Sequence, residues 1–475
     1  MPRTSDLRTR RIILLAAALA CLPGGAQADG LPFTGVNLAG AEFGPPPTHG
    51  NPGVYNTDYT YPTLAEINYY TGKGMNVFRL PFRWERLQNS LNASLNSTEL
   101  SRMDTFVAQA TAKEAYVLLD PHNYERYYPN DGDPGAIIGS SQVPDSSFAN
   151  FWSQVAAHYK TNGHVIFDLM NEPHDLPTEQ IVASDNSAIA AIRSAGAQNL
   201  ILVAGNGYTS AWGWTQSGPY TANATAMLNI VDLSNNYAFD MHMYLDVDNS
   251  GSHDTINNND PTTGVQRLTA ATQWLQAHHL RAFLGEFAVA NTSIGSGNYT
   301  SQSDGQTHPQ IGDETVNNML TYMKNNSNAW IGWTWWGGGP WWGPYMFALD
   351  PANIGTGSQT DQAAMSVLQP YFATKMGDFN HDGHVNSADI SAMMMALSNP
   401  QAFETTYGFS DAQLQVIGDI NADGKFTNAD LQKMLTYLRI GLGSDETVPE
   451  PATCALLALG GLALLLCRAT RAPLS

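Results

Sequence analysis

The sequence predicts an α/β protein: a (β/α)8 TIM barrel over residues 29–374, followed by a small α-helical module over residues 376–443 built on calcium-type loops. Three observations predict it. Eight short runs rich in Val, Ile, Leu and Phe alternate with stretches whose apolar residues recur every three or four positions, the pattern of parallel strands joined by amphipathic helices. No Gly-rich phosphate fingerprint follows the first run, so an open doubly wound sheet, the alternative fold, lacks support. From Gly377 the composition changes, and one loop pattern of oxygen-bearing side chains occurs twice.

The chain has 475 residues, more than one ordinary domain needs and enough for a large barrel with appendages. Charged residues make up 13% and aromatic residues 10%, with 11 Trp, which fits a folded chain with aromatic surface rather than a disordered or nucleic-acid-binding one. The formal net charge of -20 repels phosphate backbones and anionic membranes, so no nucleic-acid partner is expected. A neutral polymer such as a polysaccharide meets no such barrier. Cys21, Cys454 and Cys467 all lie in terminal apolar segments, leaving the central chain without a disulfide framework or a catalytic thiol.

Taken in order, residues 1–28 read as an export signal. Arg3, Arg8, Arg10 and Arg11 form a basic head, Ile12 to Leu22 an apolar core too short to span a bilayer, and Ala26-Gln27-Ala28 a small-residue cleavage site. Thr9-Arg10-Arg11 and Ala20-Cys21 faintly resemble twin-arginine and lipoprotein signals. A periplasmic, cell-surface or secreted location follows from export. Strands are expected at Thr34 to Asn37, Asn76 to Leu80, Tyr116 to Asp120, Val165 to Asp168, Leu200 to Ala204, Ala238 to Met241, Ala282 to Leu284 and Trp330 to Trp333. Leu64-Ile67-Tyr70 and Met103-Phe106-Val107-Ala110 carry helical spacing between them. This unit exceeds the roughly 250 residues typical of such a barrel, so several loops after strands must be long.

The tandem loops come next. Asp378, Asn380, Asp382, Asn386 and Asp389 occupy positions 1, 3, 5, 9 and 12 of the first, with Gly383 at 6 and His384 at 7. Asp419, Asn421, Asp423, Thr427 and Asp430 repeat them, with Gly424 and Lys425 at 6 and 7. Hard oxygens around a sharp Gly bend are the EF-hand recipe for Ca2+, here expected to be structural, although position 12 is Asp rather than Glu. Each loop runs into an apolar stripe, Ile390-Met393-Met394-Leu397 and Leu431-Met434-Leu435-Leu438. The stripes are expected to pack together as a core, with a Met-rich partner groove as the alternative.

A loop followed by a helix, without the preceding EF-hand helix, resembles a type I dockerin, which implies a cohesin-like protein partner; a Ca2+-rigidified stalk is the other reading. At the end of the chain, Pro449-Glu450-Pro451 precedes an apolar run from Cys454 to Cys467 and then Arg468 and Arg471. Residues 448–475 resemble a PEP-CTERM sorting signal, which implies processing by an exosortase-type enzyme; a plain C-terminal anchor is the alternative.

Two of the expected strands end in a carboxylate. Val165 to Asp168 leads to Asn171-Glu172-Pro173, and Ala282 to Leu284 leads to Gly285-Glu286-Phe287. In a parallel barrel the C-terminal strand tips form the ligand face, so strands four and seven would bring two carboxyls to opposite sides of one mouth. That is the equipment of glycoside hydrolysis, in which one group protonates the leaving oxygen and the other attacks the anomeric carbon or activates water. Further polar residues sit at other strand ends: Arg79, His122, and His242 with Tyr244 in a His-x-Tyr step. Beyond strand eight comes Trp333-Thr-Trp335-Trp336, three glycines, and then Trp341-Trp342.

With these motifs in this order, residues 31 to 374 resemble glycoside hydrolase family 5 of clan A, and within it the endo-β-1,4-glucanases of the fungal-type subfamily. The resemblance implies a retaining endoglucanase needing no cofactor for catalysis, with Glu286 as nucleophile and Glu172 as acid/base. It places Arg79 and Tyr244 beside the nucleophile and Asn171 on the sugar 2-hydroxyl. His122 and His242 would bond sugar hydroxyls and tune Glu172. Indoles stack on the flat C–H faces of sugars. Trp336 is therefore expected as a sugar platform, Trp341 beside it, Trp212 and Trp214 as further subsites, and Trp335 pointing into the barrel. A β-glucan polysaccharide is the expected substrate, with mannan or xyloglucan as alternatives and a non-catalytic surface carbohydrate-binding protein as the reading from another class.

Overall fold

The apolar runs pair side by side and close on themselves. The computed structural model describes residues 31–44, 53–128, 135–373, 377–380, 385–407, 414, 417–418, 420 and 425–439. The expected leader, the sorting tail, Asp382, His384, Asp419, Asn421 and Asp423 lie outside the described residues. The barrel strands are β1 (Phe33–Leu38), β2 (Val77–Phe82), β3 (Tyr116–Pro121), β4 (Val165–Asp168), β5 (Ile201–Ala204), β6 (Tyr237–His242), β7 (Ala282–Phe287) and β8 (Trp330–Gly338). Each pairs in parallel with its sequence neighbours, and β1 pairs with β8 to complete the ring.

Several strands run further than their apolar stretches. Phe82 pairs with Pro121, His242 with Glu286, and Leu38 with Gly338. The backbone ladder needs only N–H and C=O groups, so it continues past the last apolar side chain into a polar rim. His242 and Glu286 therefore stand on strands rather than beyond them.

Side chains alternate along a strand, and this splits the interior into two cores. Val77, Leu118, Ile166, Leu202, Ala238, Phe283 and Ile331 plug the lumen. A much larger cluster fills the shell between strands and helices. Two residues beyond the plug, the next inward positions are Arg79 on β2, Asp120 on β3, Asp168 on β4 and Asp240 on β6, all fully buried. The plug is a floor, and a layer of charge lies on it.

Two of the connecting helices start at side-chain caps. Thr63 and Glu66 form a capping box at α1 (Leu64–Gly72), and Asn96 accepts from Thr98 and Glu99 N–H at the head of α2 (Ser97–Thr111). Besides a single turn at Trp84–Leu87, the others are α3 (Asp145–Tyr159), α4 (Thr178–Ser194), the short α5 (Asn223–Ala226), α6 (Thr263–His278), α7 (Gly312–Asn325) and α8 (Ala363–Leu368). Ile67 and Tyr70 face the shell, but Leu64, at the first position of α1, is exposed.

The C-terminal residues build a separate core from Phe379, Val385, Met393, Phe403, Ile417 and Met434. It is carried by α9 (Ser387–Ser398), α10 (Pro400–Tyr407) and α11 (Asn428–Arg439). The expected stripes need correction at one place each: Met394 and Leu435 are exposed. Each follows a buried Met, and the 100° step of a helix carries the next residue off the core face. Among the described residues, no helix is long and apolar enough to cross a membrane.

Candidate active site

The charged layer is organised by Arg79, which cannot reach water and spends its donors on neighbours. Its Nε meets Asp168 Oδ2 at 2.8 Å, and Nη1 meets Asn37 Oδ1 at 3.0 Å and Glu286 Oε1 at 2.9 Å. Its Nη2 meets Asn171 Oδ1 at 2.8 Å and Asp120 Oδ2 at 3.0 Å. Three aspartates around one guanidinium cannot all ionise. Burial, reinforced by Asp240, pushes Asp168 well above the usual carboxylate range. Burial also lifts Asp120, to about 7, against the pull of Arg79. Asp240 goes the other way: burial raises it, but His242 and Arg79 hold it below its ordinary value.

Glu286 is gripped at both oxygens. Arg79 takes Oε1, and the Tyr244 hydroxyl donates to Oε2 at 2.8 Å. Burial raises the Glu286 carboxyl, while His242 and Arg79 oppose the rise. Burial and the Glu286 charge both raise the Tyr244 phenol far above 10, so it stays a donor. Gly285 lets this strand in: a Cβ there would sit 2.2 Å from Asp240 Oδ1.

Glu172 stands just past β4 in a left-handed backbone conformation, φ 44°, a cost usually met at functional turns. Its Oε1 lies 2.8 Å from His242 Nδ1, and His242 Nε2 lies 3.1 Å from Asp240 Oδ2. Burial opposes a charge on His242, but Glu286 and Asp240 outweigh it and raise the imidazole well above its ordinary range. Glu172, His242 and Glu286 each offer an atom within 4.8 Å of the others. A metal is a poor fit to this trio, because both His242 nitrogens face carboxylates as donors and keep no lone pair for an ion.

His122 does not touch Glu172. Its Nδ1 meets Asp120 Oδ2 at 2.8 Å, and its Nε2 accepts from the Asn171 amide at 3.2 Å. Burial lowers its pKa well below the ordinary range, so the ring is neutral. Asn171 is thereby locked, its oxygen on Arg79 and its nitrogen on His122.

The indoles divide into two groups. Trp336, half-buried, stacks on His122 with ring centres 5.6 Å apart and planes 12° apart. Trp341 is 40% exposed and Trp212 41%. Trp214 is fully buried, packed on Phe239 and Trp274, and is a core residue rather than a subsite. The loop after β5 turns through several residues, so neighbouring side chains there follow no strand alternation. Trp335 is corrected as well: it faces the outer shell, not the lumen, and its indole N–H donates to Phe347 O at 2.8 Å. Alternation is interrupted on β8: Ile331 plugs the lumen but Trp333 and Trp335 face the shell. Pairing with β7 shifts register between Trp330 and Gly332 and between Trp333 and Trp335, so Trp336 takes the inward side over His122.

A groove of about 260 Å3 is lined by His174, Tyr208, Gln216 and Tyr220. The ring of Tyr208, half exposed, stacks on His174 at 4.4 Å. Gly207, Tyr208 and Thr209 all have positive φ, which projects Tyr208 from the surface.

The family model for cellulase (glycosyl hydrolase family 5) matches residues 33–339. The chain belongs to glycosyl hydrolase family 5. Endo-β-1,4-glucanase B of Aspergillus niger is 37% identical over 73% of this chain and 95% of its own length. A solved triple variant of an endo-β-1,4-glucanase from Xanthomonas axonopodis pv. citri has a TM-score of 0.64 and 39% identity, over 72% of this chain and 99% of that one. Pseudomonas stutzeri endoglucanase Cel5A, solved with cellobiose, has a TM-score of 0.61 and 30% identity, over 73% and 93%. A dockerin type I domain model matches residues 376–439.

In this family 5 barrel the sequence reading missed Asn37, the aspartates Asp120, Asp168 and Asp240, Trp342, and the Tyr208–His174 pair. The aspartates did carry a signal, since Leu119-Asp120, Phe167-Asp168 and Phe239-Asp240 each end an apolar run in the same way. Trp342 stacks on Tyr345 at 4.2 Å and meets Trp336 edge-on at 5.6 Å, buttressing it. In the dockerin-type module, Asp378, Asp389 and Asp430 are buried carboxylates at loop positions 1 and 12. Asp389 accepts the N–H groups of Asn380 and Asn386, and Asp430 accepts that of Thr427. Asn386 caps α9 through Ala388 N–H. Among the described residues, buried carboxylates and half-buried amides give an oxygen donor set that fits Ca2+, and the exposed Lys425 suits a position whose ligand is a backbone carbonyl.

Proposed function

We propose that the chain is an endo-acting glycosidase that hydrolyses β-1,4-glucan by double displacement, with Glu286 as nucleophile and Glu172 as acid/base. One observation carries the mechanism: oxygens of Glu172 and Glu286 lie within 4.8 Å of each other. Retaining glycosidases hold their carboxyls about 5–5.5 Å apart, whereas inverting ones leave about 6.5–9.5 Å for a water. In the first step a Glu286 oxygen bonds to the anomeric carbon as the glycosidic C–O bond breaks, and Glu172 gives its proton to the departing oxygen. In the second, Glu172 takes a proton from water, the water oxygen bonds to the same carbon, and Glu286 leaves as carboxylate. Two inversions give retention.

Each neighbour has a task in this scheme. Arg79 and Tyr244 hold Glu286 anionic and aimed. His242, charged between Asp240 and Glu172, points a protonated Nδ1 at the acid's oxygen 2.8 Å away. Asn171, fixed by Arg79 and His122, is placed for the 2-hydroxyl. Trp336 and Trp341 offer stacking faces for sugars on one side of the cut, and Trp212 and Tyr208 along the loop after β5. The cellulase relatives, one of them solved with cellobiose, support glucan as the substrate.

The module over 376–443 is read as a Ca2+-stabilised dockerin with a cohesin-like partner. Residues 1–28 are read as the leader of an exported enzyme, and residues 448–475 as a sorting signal cut by an exosortase-type enzyme. The decisive test is Glu286→Gln: it should abolish hydrolysis of carboxymethylcellulose while cellopentaose still binds, and fresh wild-type product should appear by NMR as the β-anomer. An active variant overturns the assignment, and an α-anomer overturns retention.

A further inference from the structure

The loop after β6 carries Tyr244 into the site and then continues Asp246-Val-Asp248-Asn249-Ser250-Gly251-Ser252-His253. Its spacing imitates a cation loop, and Asp246, Asp248 and His253 bring ligand atoms within 4.8 Å of one another. The leading carboxylate is already filled by protein. Asp246 accepts from the N–H groups of Gly251, Ser252 and His253, from Ser250 Oγ and from His253 Nδ1. What the coil encloses is Tyr244. Asn249 takes the Tyr244 N–H at 2.9 Å, and Gly251 lies against the ring so closely that a Cβ would come within 2.7 Å of it.

Arg267, on α6, closes this coil from behind. Its Nη1 donates to Tyr244 O at 2.5 Å and its Nη2 to Asp246 O at 2.6 Å. It is 3% exposed, and among the described residues it forms no ion pair. Burial lowers its pKa against the pull of Asp246 and Asp248. A buried guanidinium spent on carbonyls is a costly way to hold a loop unless the fork has a further use. It does: the guanidinium carbon sits 4.5 Å from the ring centre of Trp212. A second tie runs in parallel, since Asn249 Nδ2 donates to Ser210 Oγ, which also receives Gly213 N–H. Tyr244 and the Trp212 loop are thus fastened together at two points.

We propose that Arg267 is a positioning residue that aligns the Tyr244 hydroxyl on Glu286 and holds Trp212 as a sugar platform, so that one guanidinium serves both the nucleophile and chain binding. This rests on the assignment of Glu286 as nucleophile. The groups facing Glu286 are Arg79 from β2, His122 beyond β3, Glu172 beyond β4, His242 from β6 and Tyr244 beyond it. Of these, Arg267 touches only Tyr244.

The test compares Arg267→Lys, Tyr244→Phe, their double variant and Trp212→Ala in the full chain, with melting temperatures and pH profiles of kcat/KM on cellopentaose. Lysine keeps the charge but loses the fork and the flat stacking face. Arg267→Lys should move the acid limb upward by about one pH unit and raise KM several-fold. The double variant should shift the limb no further than Tyr244→Phe alone. Trp212→Ala should reproduce the KM change and leave the limb in place. An unmoved limb in folded Arg267→Lys, activity lost only in proportion to folded protein, or additive limb shifts would each overturn the proposal. If Arg267→Lys does not fold, Asn249→Ala, which cuts the parallel tie, replaces it with the same expected limb shift. An active Glu286→Gln would instead condemn the assignment of the nucleophile.

Discussion

Tyr244→Phe removes one hydroxyl and keeps the ring that stacks on Phe347 at 6.1 Å. The hydroxyl donates to Glu286 Oε2 at 2.8 Å, and this bond favours only the ionised carboxylate. A hydrogen bond to a charged group contributes about 1.5–3 kcal/mol, and a pKa unit corresponds to about 1.36 kcal/mol. Glu286, already raised by burial, should therefore rise by about one to two further units. The sign is fixed: as the proposed nucleophile, Glu286 must be ionised to attack, so a higher pKa moves the acid limb of the profile toward higher pH. Tyr244 itself stays protonated throughout, because burial and Glu286 hold its phenol far above 10. The assay is kcat/KM against pH, which reports groups of the free enzyme. Activity should fall most on the acid side and recover in part on the plateau, where Arg79 still holds Oε1. An acid limb that stays in place, with activity lost equally at every pH, would refute the reasoning.

Three other perturbations separate roles that lie close together. Gly285→Ala places a Cβ 2.2 Å from Asp240 Oδ1 and should lower both the melting temperature and kcat by driving Asp240 from His242; a stable, fully active variant would show that the strand can shift. Trp214→Ala should cost about 3–5 kcal/mol in denaturant unfolding with KM unchanged, since its ring fills the shell core, and a raised KM would return it to the binding surface. Removing Ca2+ with a chelator should raise hydrogen exchange across residues 376–443 while the barrel continues to hydrolyse glucan; lost activity would mean that the two cores depend on each other.

The barrel was legible because its lumen plug and its shell both draw on apolar residues, so each strand announces itself by composition. The ends of the strands were less legible, since ladder pairing continues through Pro81, His242 and Glu286, where no apolar pattern remains. The positions of Glu172 and Glu286 at the mouth could be seen from strand count alone. Arg79 was visible as a residue, but its burial among three aspartates was not, because a lumen position looks like any alternate strand position until the ring closes. Trp212 and Trp214 show the limit clearly. They are two residues apart in an irregular loop; one ends over Arg267 and the other in the core, and no period in the sequence separates them.

The deepest case is a pattern that occurs twice. Asp120-Pro121-His122 ends β3 and Asp240-Met241-His242 ends β6, and in each the imidazole bonds back to the aspartate two residues earlier. The sequence offers no reason for the two histidines to differ, yet one is neutral and the other charged. Burial disfavours a charge on both rings, and at His242 the charges of Glu286 and Asp240 outweigh it; the partner of the second nitrogen differs accordingly. His122 Nε2 meets the amide nitrogen of Asn171, a donor, so that ring nitrogen must accept and burial keeps the ring neutral. His242 Nδ1 meets Glu172 at 2.8 Å and lies 3.6 Å from Glu286, so both of its nitrogens face carboxylates. Asn171 can act as donor there only because Arg79 claims its oxygen. Burial thus keeps His122 neutral, with the Arg79 charge adding to it, and Arg79 also orients the Asn171 amide that the neutral ring accepts from. The same guanidinium steadies Glu286, while Glu286 and Asp240 raise His242, so two similar Asp-x-His steps end in opposite states, with the neutral ring stacked on Trp336 and the charged ring beside Glu172.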